Sequence, residues 1–271
     1  MIASASADPL SDFVAARLHL PRRLLPLAPY TYQIMLVLVI PLAFWLDSLT
    51  RTVAQQDVLG ACAWVLLVVF TRFSSRQERR QVWIMVGVAT CVEVWSSIIW
   101  GVYQYRFGNL PLFVPPGHGL VYLFALRSVR TPLALRYARG LSRAAIACAT
   151  VWALFGLTLE PALLHRLDLM GAMWWPIFVW FMRKPSAPVF AAAFFVTSYL
   201  ELWGTHIGTW TWQLYTPISH IPDGNPPSVI SAGYCLMDFT SITLAAALPS
   251  MPLLDRWRTR REPEPATVEA A

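Results

Sequence analysis

Charge is scarce in this sequence. Only 13% of its residues are Asp, Glu, Lys or Arg, against 56% hydrophobic side chains, and mean hydropathy is +0.50. That balance excludes both an ordinary soluble domain and a disordered chain, and it indicates an integral membrane protein. Paired cysteines are also missing: Cys62, Cys91, Cys148 and Cys235 each sit inside an apolar run with no CxxC. Neither a disulfide framework nor a zinc knuckle is implied, and all four read as packing residues. The histidines show no HxxxH, HxxH or ExxH spacing. A metal centre and a cofactor are therefore not expected, although His118, His206 and His220 with two glutamates are chemically suitable ligands. No cleavable signal peptide is evident, since the first long apolar run starts only near Tyr30.

What is present is a series of apolar segments at about 30–50, 55–72, 81–102, 112–127, 142–160, 168–183, 187–208 and 228–249. The expectation is an all-α polytopic membrane protein with about eight transmembrane helices. The net charge of +6 does not indicate nucleic acid, because the arginines fall in short clusters between apolar runs. Arg22 and Arg23, Arg72 to Arg80, Arg127 to Arg143, Arg183 with Lys184, and Arg256 to Arg261 all land on one side if eight spans alternate. By the positive-inside rule both termini are then cytoplasmic, in the cell inner (plasma) membrane. Residues 8–28 suit a helix lying on the cytoplasmic membrane surface or a partly ordered tail, and the Glu-, Pro- and Ala-rich end suits a tail without fixed structure.

One stretch occurs twice. The first copy runs Glu93-Val-Trp95, Trp100-Gly-Val-Tyr-Gln-Tyr105, Pro115-Pro-Gly-His-Gly119 and Tyr122; the second runs Glu201-Leu-Trp203, Gly208-Thr-Trp-Thr-Trp212, Pro226-Pro227 and Gly233-Tyr234. Upstream, Asp57-Val-Leu-Gly-Ala61 matches Asp168-Leu-Met-Gly-Ala172. Four spans per unit is an even number, so the expected organisation is a parallel 4+4 repeat. Its parts are residues 1–29 as a cytoplasmic or interfacial segment, 30–140 and 141–250 as four-helix repeats, and 251–271 as a cytoplasmic tail. The Pro-rich stretches Asn109–Gly119 and Thr216–Ser228 read as two outer loops that either fold over the bundle as lids or merely join helices. Gly204 and Gly208 read as a small-xxx-small pair for close helix packing.

The expected catalytic groups are Glu93, Glu201 and Asp238, acids embedded in apolar segments on faces shared with small or polar residues. Intramembrane acids mark functional sites by default, their alternative being interhelical hydrogen bonding. Trp100, Tyr103, Tyr105, Trp210, Trp212 and Tyr234, with His118 and His206, are the expected substrate-binding residues. Their rings either form an interfacial belt or line an apolar pocket whose π faces stabilise a cation.

An intramembrane Glu93 followed by Trp100-Gly-Val-Tyr-Gln-Tyr105 and Leu110-Pro-Leu-Phe-Val-Pro115 resembles the integral-membrane carotenoid hydratases of the bisanhydrobacterioruberin and lycopene type. The resemblance covers about 25 residues. It implies addition of water to a terminal isoprenoid double bond, with a membrane lipid or isoprenoid as substrate. Cyclisation or isomerisation would use the same acids, and a proton-coupled transporter or lipid-handling protein is the reading from a different class.

Overall fold

The structure is a computed structural model that describes residues 9–10 and 25–248. It is an almost wholly helical bundle. The principal helices are α1 (Thr31–Leu49), α2 (Val53–Thr71), α3 (Arg76–Glu93), α4 (Val114–Ser128), α5 (Pro132–Thr158), α6 (Glu160–Leu164), α7 (Leu169–Met173), α8 (Trp175–Phe181), α9 (Ala187–Ile207) and α10 (Ser231–Ala247). A 3-10 turn, Leu25–Tyr30, leads into α1, and α3 continues as a π-helical turn through Val94–Trp100. The expected surface helix at residues 8–28 and the tail after 250 lie largely or wholly outside the described residues.

Each of the eight apolar segments is helical. Five of the helical runs are long and apolar enough to cross a membrane: Leu25–Leu49, Val53–Thr71, Arg76–Trp100, Pro132–Thr158 and Ala187–Ile207. The others are shorter; α4 has 15 residues, α10 has 17, and segment 168–183 is split into α7 and α8. Large apolar side chains such as Leu38, Val65, Val151 and Leu163 remain exposed on the outside of the bundle, as expected where lipid is the solvent.

Local sequence sets the boundaries. Ser75 and Glu78 close a capping box at the start of α3, with Glu78 Oε2 accepting from the Ser75 N–H at 2.8 Å. Glu78 also meets Arg130 at 2.8 Å, tying this end to the α4–α5 connection. Helices α3 and α9, which carry the two motif glutamates, end alike: Gly101 follows the π turn at φ +71° and Gly208 caps α9 at φ +82°. That left-handed conformation is open to glycine at little cost, and it turns the chain sharply out of the helix.

One expectation fails here. The Pro115-Pro116-Gly-His-Gly119 stretch is not an outer loop; it forms the first turns of α4, with His118 and Gly119 buried. Proline at the first helical positions has no N–H to lose and a fitting φ, so the pair starts a helix instead of breaking one. The second Pro-rich stretch, Thr216–Ser228, is irregular as expected.

Candidate active site

Beyond Gly101 and Gly208 the chain makes two three-residue strands, β1 (Tyr103–Tyr105) and β2 (Trp210–Trp212). They pair antiparallel, with Tyr103 opposite Trp212, Gln104 opposite Thr211 and Tyr105 opposite Trp210. Strand side chains alternate faces, so all four rings point inward while Gln104 and Thr211 are exposed. The rings pack across the ribbon, Tyr103 against Trp212 at 4.5 Å and Tyr105 against Trp210 at 6.1 Å between centroids.

The inward rings carry donors to two buried carboxyl groups. Glu93 Oε2 accepts from the Tyr103 hydroxyl at 2.6 Å and the Tyr105 hydroxyl at 2.7 Å, and Oε1 lies 2.7 Å from His118 Nε2 on α4. Glu201 Oε2 accepts from Trp210 Nε1 at 3.0 Å and Trp212 Nε1 at 3.3 Å, and Oε1 accepts from the Tyr234 hydroxyl at 2.9 Å on α10. Each acid therefore takes two donors from the strand that follows it and one from the next long helix. His118 and Tyr234 stack on each other, 5.3 Å apart and 21° from parallel, and so connect the two sets.

The spacing within the two copies differs by one residue: Gly101 comes eight positions after Glu93, but Gly208 comes seven after Glu201. The π turn at Val94–Trp100 accommodates the extra residue, because an i→i+5 turn holds one more residue than an α turn. Gly204 is needed for a different reason from the one expected. A Cβ on it would overlap the Trp210 indole, so the missing side chain is the seat of that ring on α9 and not a helix–helix contact.

Both carboxyls face a cavity of about 510 Å³. Its lining includes Glu93, Trp100, Tyr103, Tyr105, His118, Glu201, Trp210, Trp212 and Tyr234, so nine of the eleven expected site residues converge there. The rest of the wall is mainly apolar, including Phe44, Val121, Met170 and Trp174. Trp100 is fixed by an Nε1 hydrogen bond to the Pro217 carbonyl at 3.3 Å, which pins the irregular 213–223 segment beside the cavity.

Two expected residues lie elsewhere. Asp238 is buried on α10 but does not line the cavity; its Oδ2 has no hydrogen-bond partner among the described residues. His206 is exposed on the outer face of α9, with its ring 6.3 Å from that of Trp203. Of the histidines considered as ligands only His118 reaches the cavity, and among the described residues no group of three His, Cys, Asp or Glu side chains is arranged to hold a metal ion.

A polar clamp behind β2 went unrecognised in the sequence. Arg166 donates Nε to the Asp223 carbonyl at 2.6 Å and its Nη2 to the carbonyls of Trp212 at 2.9 Å, Gly224 at 3.1 Å and Gln213. Asp168 caps α7 through the Gly171 N–H at 2.9 Å and also accepts from Gly224 N at 3.0 Å and Ser228 N at 2.6 Å. Together they hold the 223–228 loop on β2 and place Met170 at the cavity wall. Burial raises the Asp223 carboxyl to about 8, with the nearby Asp168 charge adding to it; burial likewise raises Glu160 to about 7.

Comparison with known proteins returned no matching protein family, no matching curated protein and no matching solved structure.

Proposed function

We propose that the protein is an integral-membrane enzyme performing acid–base chemistry on an isoprenoid or other apolar lipid, most simply hydration of a polyene double bond. The observation that carries this reading is the pairing of Glu93 and Glu201 across one apolar, aromatic-walled cavity, each acid held by three donors. Protonating an alkene needs an oriented acid shielded from bulk water, and aromatic faces stabilise the tertiary cation that results.

The partners assign the roles. Among the described residues Glu201 has only neutral partners and no cation beside it, and its protonated form is assigned as the proton source; the proton moves to one alkene carbon and leaves a carboxylate. Water attacks the neighbouring cationic carbon and loses a proton to Glu93, which shares it with His118. Loss of that proton from Glu93 to water and uptake of one proton from water by Glu201 close the cycle with no net consumption of acid. Cyclisation or isomerisation uses the same first step and ends with loss of a carbon-bound proton to Glu93.

In this reading the two halves are a parallel 4+4 repeat whose twofold axis lies along the membrane normal and passes between Gln104 and Thr211. Equivalent strands lying in the membrane plane and related by such an axis run antiparallel, as β1 and β2 do. Both termini are on the cytoplasmic side and the ribbon is on the outer side.

The test is a lipid-extract mass spectrum from a polyene-producing bacterial host expressing the wild type beside Glu93→Gln and Glu201→Gln. A product heavier by one water, absent from both variants at equal expression, supports hydration. An isomeric product of unchanged mass supports cyclisation or isomerisation, and extracts identical to the empty host remove this substrate class.

A further inference from the structure

The wall of the cavity is not buried all round. Helices α3 and α10 pack along each other, and among the cavity-lining residues a seam runs between them: Val88 and Val92 on α3, Ser96 in the π turn that continues it, and Gly233, Leu236, Met237 and Thr240 on α10. Val88 and Val92 lie four apart, and Gly233, Leu236 and Thr240 recur at offsets of three, four and seven with Met237 beside Leu236, the spacing of a single helical face. Two of them also reach the outside, since Val92 is 39% and Leu236 is 47% exposed. The same side chains thus border the cavity and the apolar exterior that meets lipid. Toward the Leu248 end the seam is shut: Ser241 Oγ lies 3.9 Å from Met85 Sδ, and Met85 and Ser241 are both buried.

We infer that the seam between α3 and α10 is a lateral portal through which a long apolar chain passes from the bilayer, placing one end between Glu93 and Glu201 while the remainder stays in lipid. The inference rests on the acid–base reading for the identity of the reacting end. The chemistry of the path itself is read from the wall: Val92, Leu236 and Met237 offer no charge and no strong hydrogen bond, so they suit a hydrocarbon and not a headgroup. Polar groups that could orient a substrate lie at the inner end, on the two glutamates, His118 and the ribbon. Size points the same way. A cavity of about 510 Å³ is in the range that encloses a drug-sized ligand, so it encloses one end group of a polyisoprenoid and needs an opening for the rest.

Access can be measured without turnover. The protein is placed in phosphatidylethanolamine–phosphatidylglycerol vesicles containing a diazirine-bearing squalene analogue, irradiated, and the adducts are located by peptide mass spectrometry. The wild type should carry adducts on cavity peptides around Ser96 and Tyr234 as well as at Leu38 and Val151, which are exposed on other faces of the bundle. In a Val92→Trp/Leu236→Trp variant the cavity adducts should be lost while those at Leu38 and Val151 persist. Leu236→Ala, which widens the seam without adding bulk, should increase cavity labelling and keeps the test decisive if the double variant misfolds. Cavity labelling that is absent in the wild type, unchanged by both bulky residues, or not increased by Leu236→Ala overturns the portal. Glu93→Gln should lose product but keep cavity labelling, which separates failure of the portal from failure of the acid–base reading.

Discussion

The two carboxyl sites share a geometry and differ in what their partners can do with a proton. Glu93 is held by two phenols and an imidazole, Glu201 by two indoles and one phenol. Indole N–H is a donor only, whereas imidazole and phenol both donate and accept. The Glu201 arrangement fixes a carboxyl in place and gives it a single partner able to exchange a proton. The Glu93 arrangement can take protons up and pass them on. Duplicated geometry with unequal proton chemistry is what a site needs if one acid delivers and the other receives.

The largest test of that contrast is at the acids. Glu93→Gln and Glu201→Gln keep the shape but cannot transfer a proton, and each should lower product formation by about 10²–10⁴-fold in membranes at matched protein level. Next comes the exchangeable partner: His118→Gln should cost roughly 10²-fold and change the pH profile of turnover. Trp212→Phe removes the 3.3 Å donor to Glu201 and trims the ring that packs on Tyr103, and should cost no more than about tenfold, near 1.4 kcal/mol in the barrier, with the pH profile unmoved. Equal losses and equal profiles would erase the distinction between the sites.

Gly204→Ala should then break one site without touching an acid. The added methyl meets the Trp210 ring, so destabilisation of about 1–3 kcal/mol is expected, seen as a lower Tm with altered tryptophan fluorescence. The corresponding change at Gly87 on α3, where a Cβ meets nothing, should be close to neutral.

A pH-dependent contrast lies in the clamp behind β2. Asp223 rises from an ordinary 3.8 to about 8 in the folded protein, so between those values the native state binds the proton that the unfolded chain has released. Its contribution to stability is therefore present at low pH, declines from about pH 4 and levels off above about pH 8. Amide exchange in the 223–228 segment should become faster over that range, and Asp223→Asn should flatten the dependence. An unchanged slope in the variant would assign the effect to Glu160, whose rise to about 7 has the same sign.

Much of this was legible in the sequence because it depends on local composition. The eight helical segments follow from apolar runs, and Glu93 and Glu201 stand out as acids inside them. The two aromatic triplets alternate with the period of a strand, so the convergence of their four rings has a sequence signal. The rest depends on contacts that composition does not encode. Pro115 and Pro116 signal a break, and only their place at the first turn of α4 makes them a start. The π turn after Glu93 shifts the helical phase, so counting faces at 100° per residue fails beyond it. Asp238 satisfies every local criterion for an intramembrane acid, yet the face of α10 that meets the cavity carries Met237 and Thr240. Arg166 binds carbonyls from two distant stretches, a pairing set by tertiary structure alone. The glycine pair at 204 and 208 shows the same limit: one seats an indole and the other caps a helix, and neither role follows from their spacing.

The most direct test of the central claim is carbon-bound deuterium. Membranes containing the protein and a polyene substrate are incubated in D₂O, and the isolated product is back-exchanged in H₂O before mass spectrometry. Proton delivery by Glu201 to a double bond predicts one retained, non-exchangeable deuterium per product molecule, for hydration, cyclisation or isomerisation alike, and its loss in Glu201→Gln. Product that carries no carbon-bound deuterium, or forms at the same rate and with the same label in Glu201→Gln, would contradict the assignment of these two carboxyls as an acid–base pair.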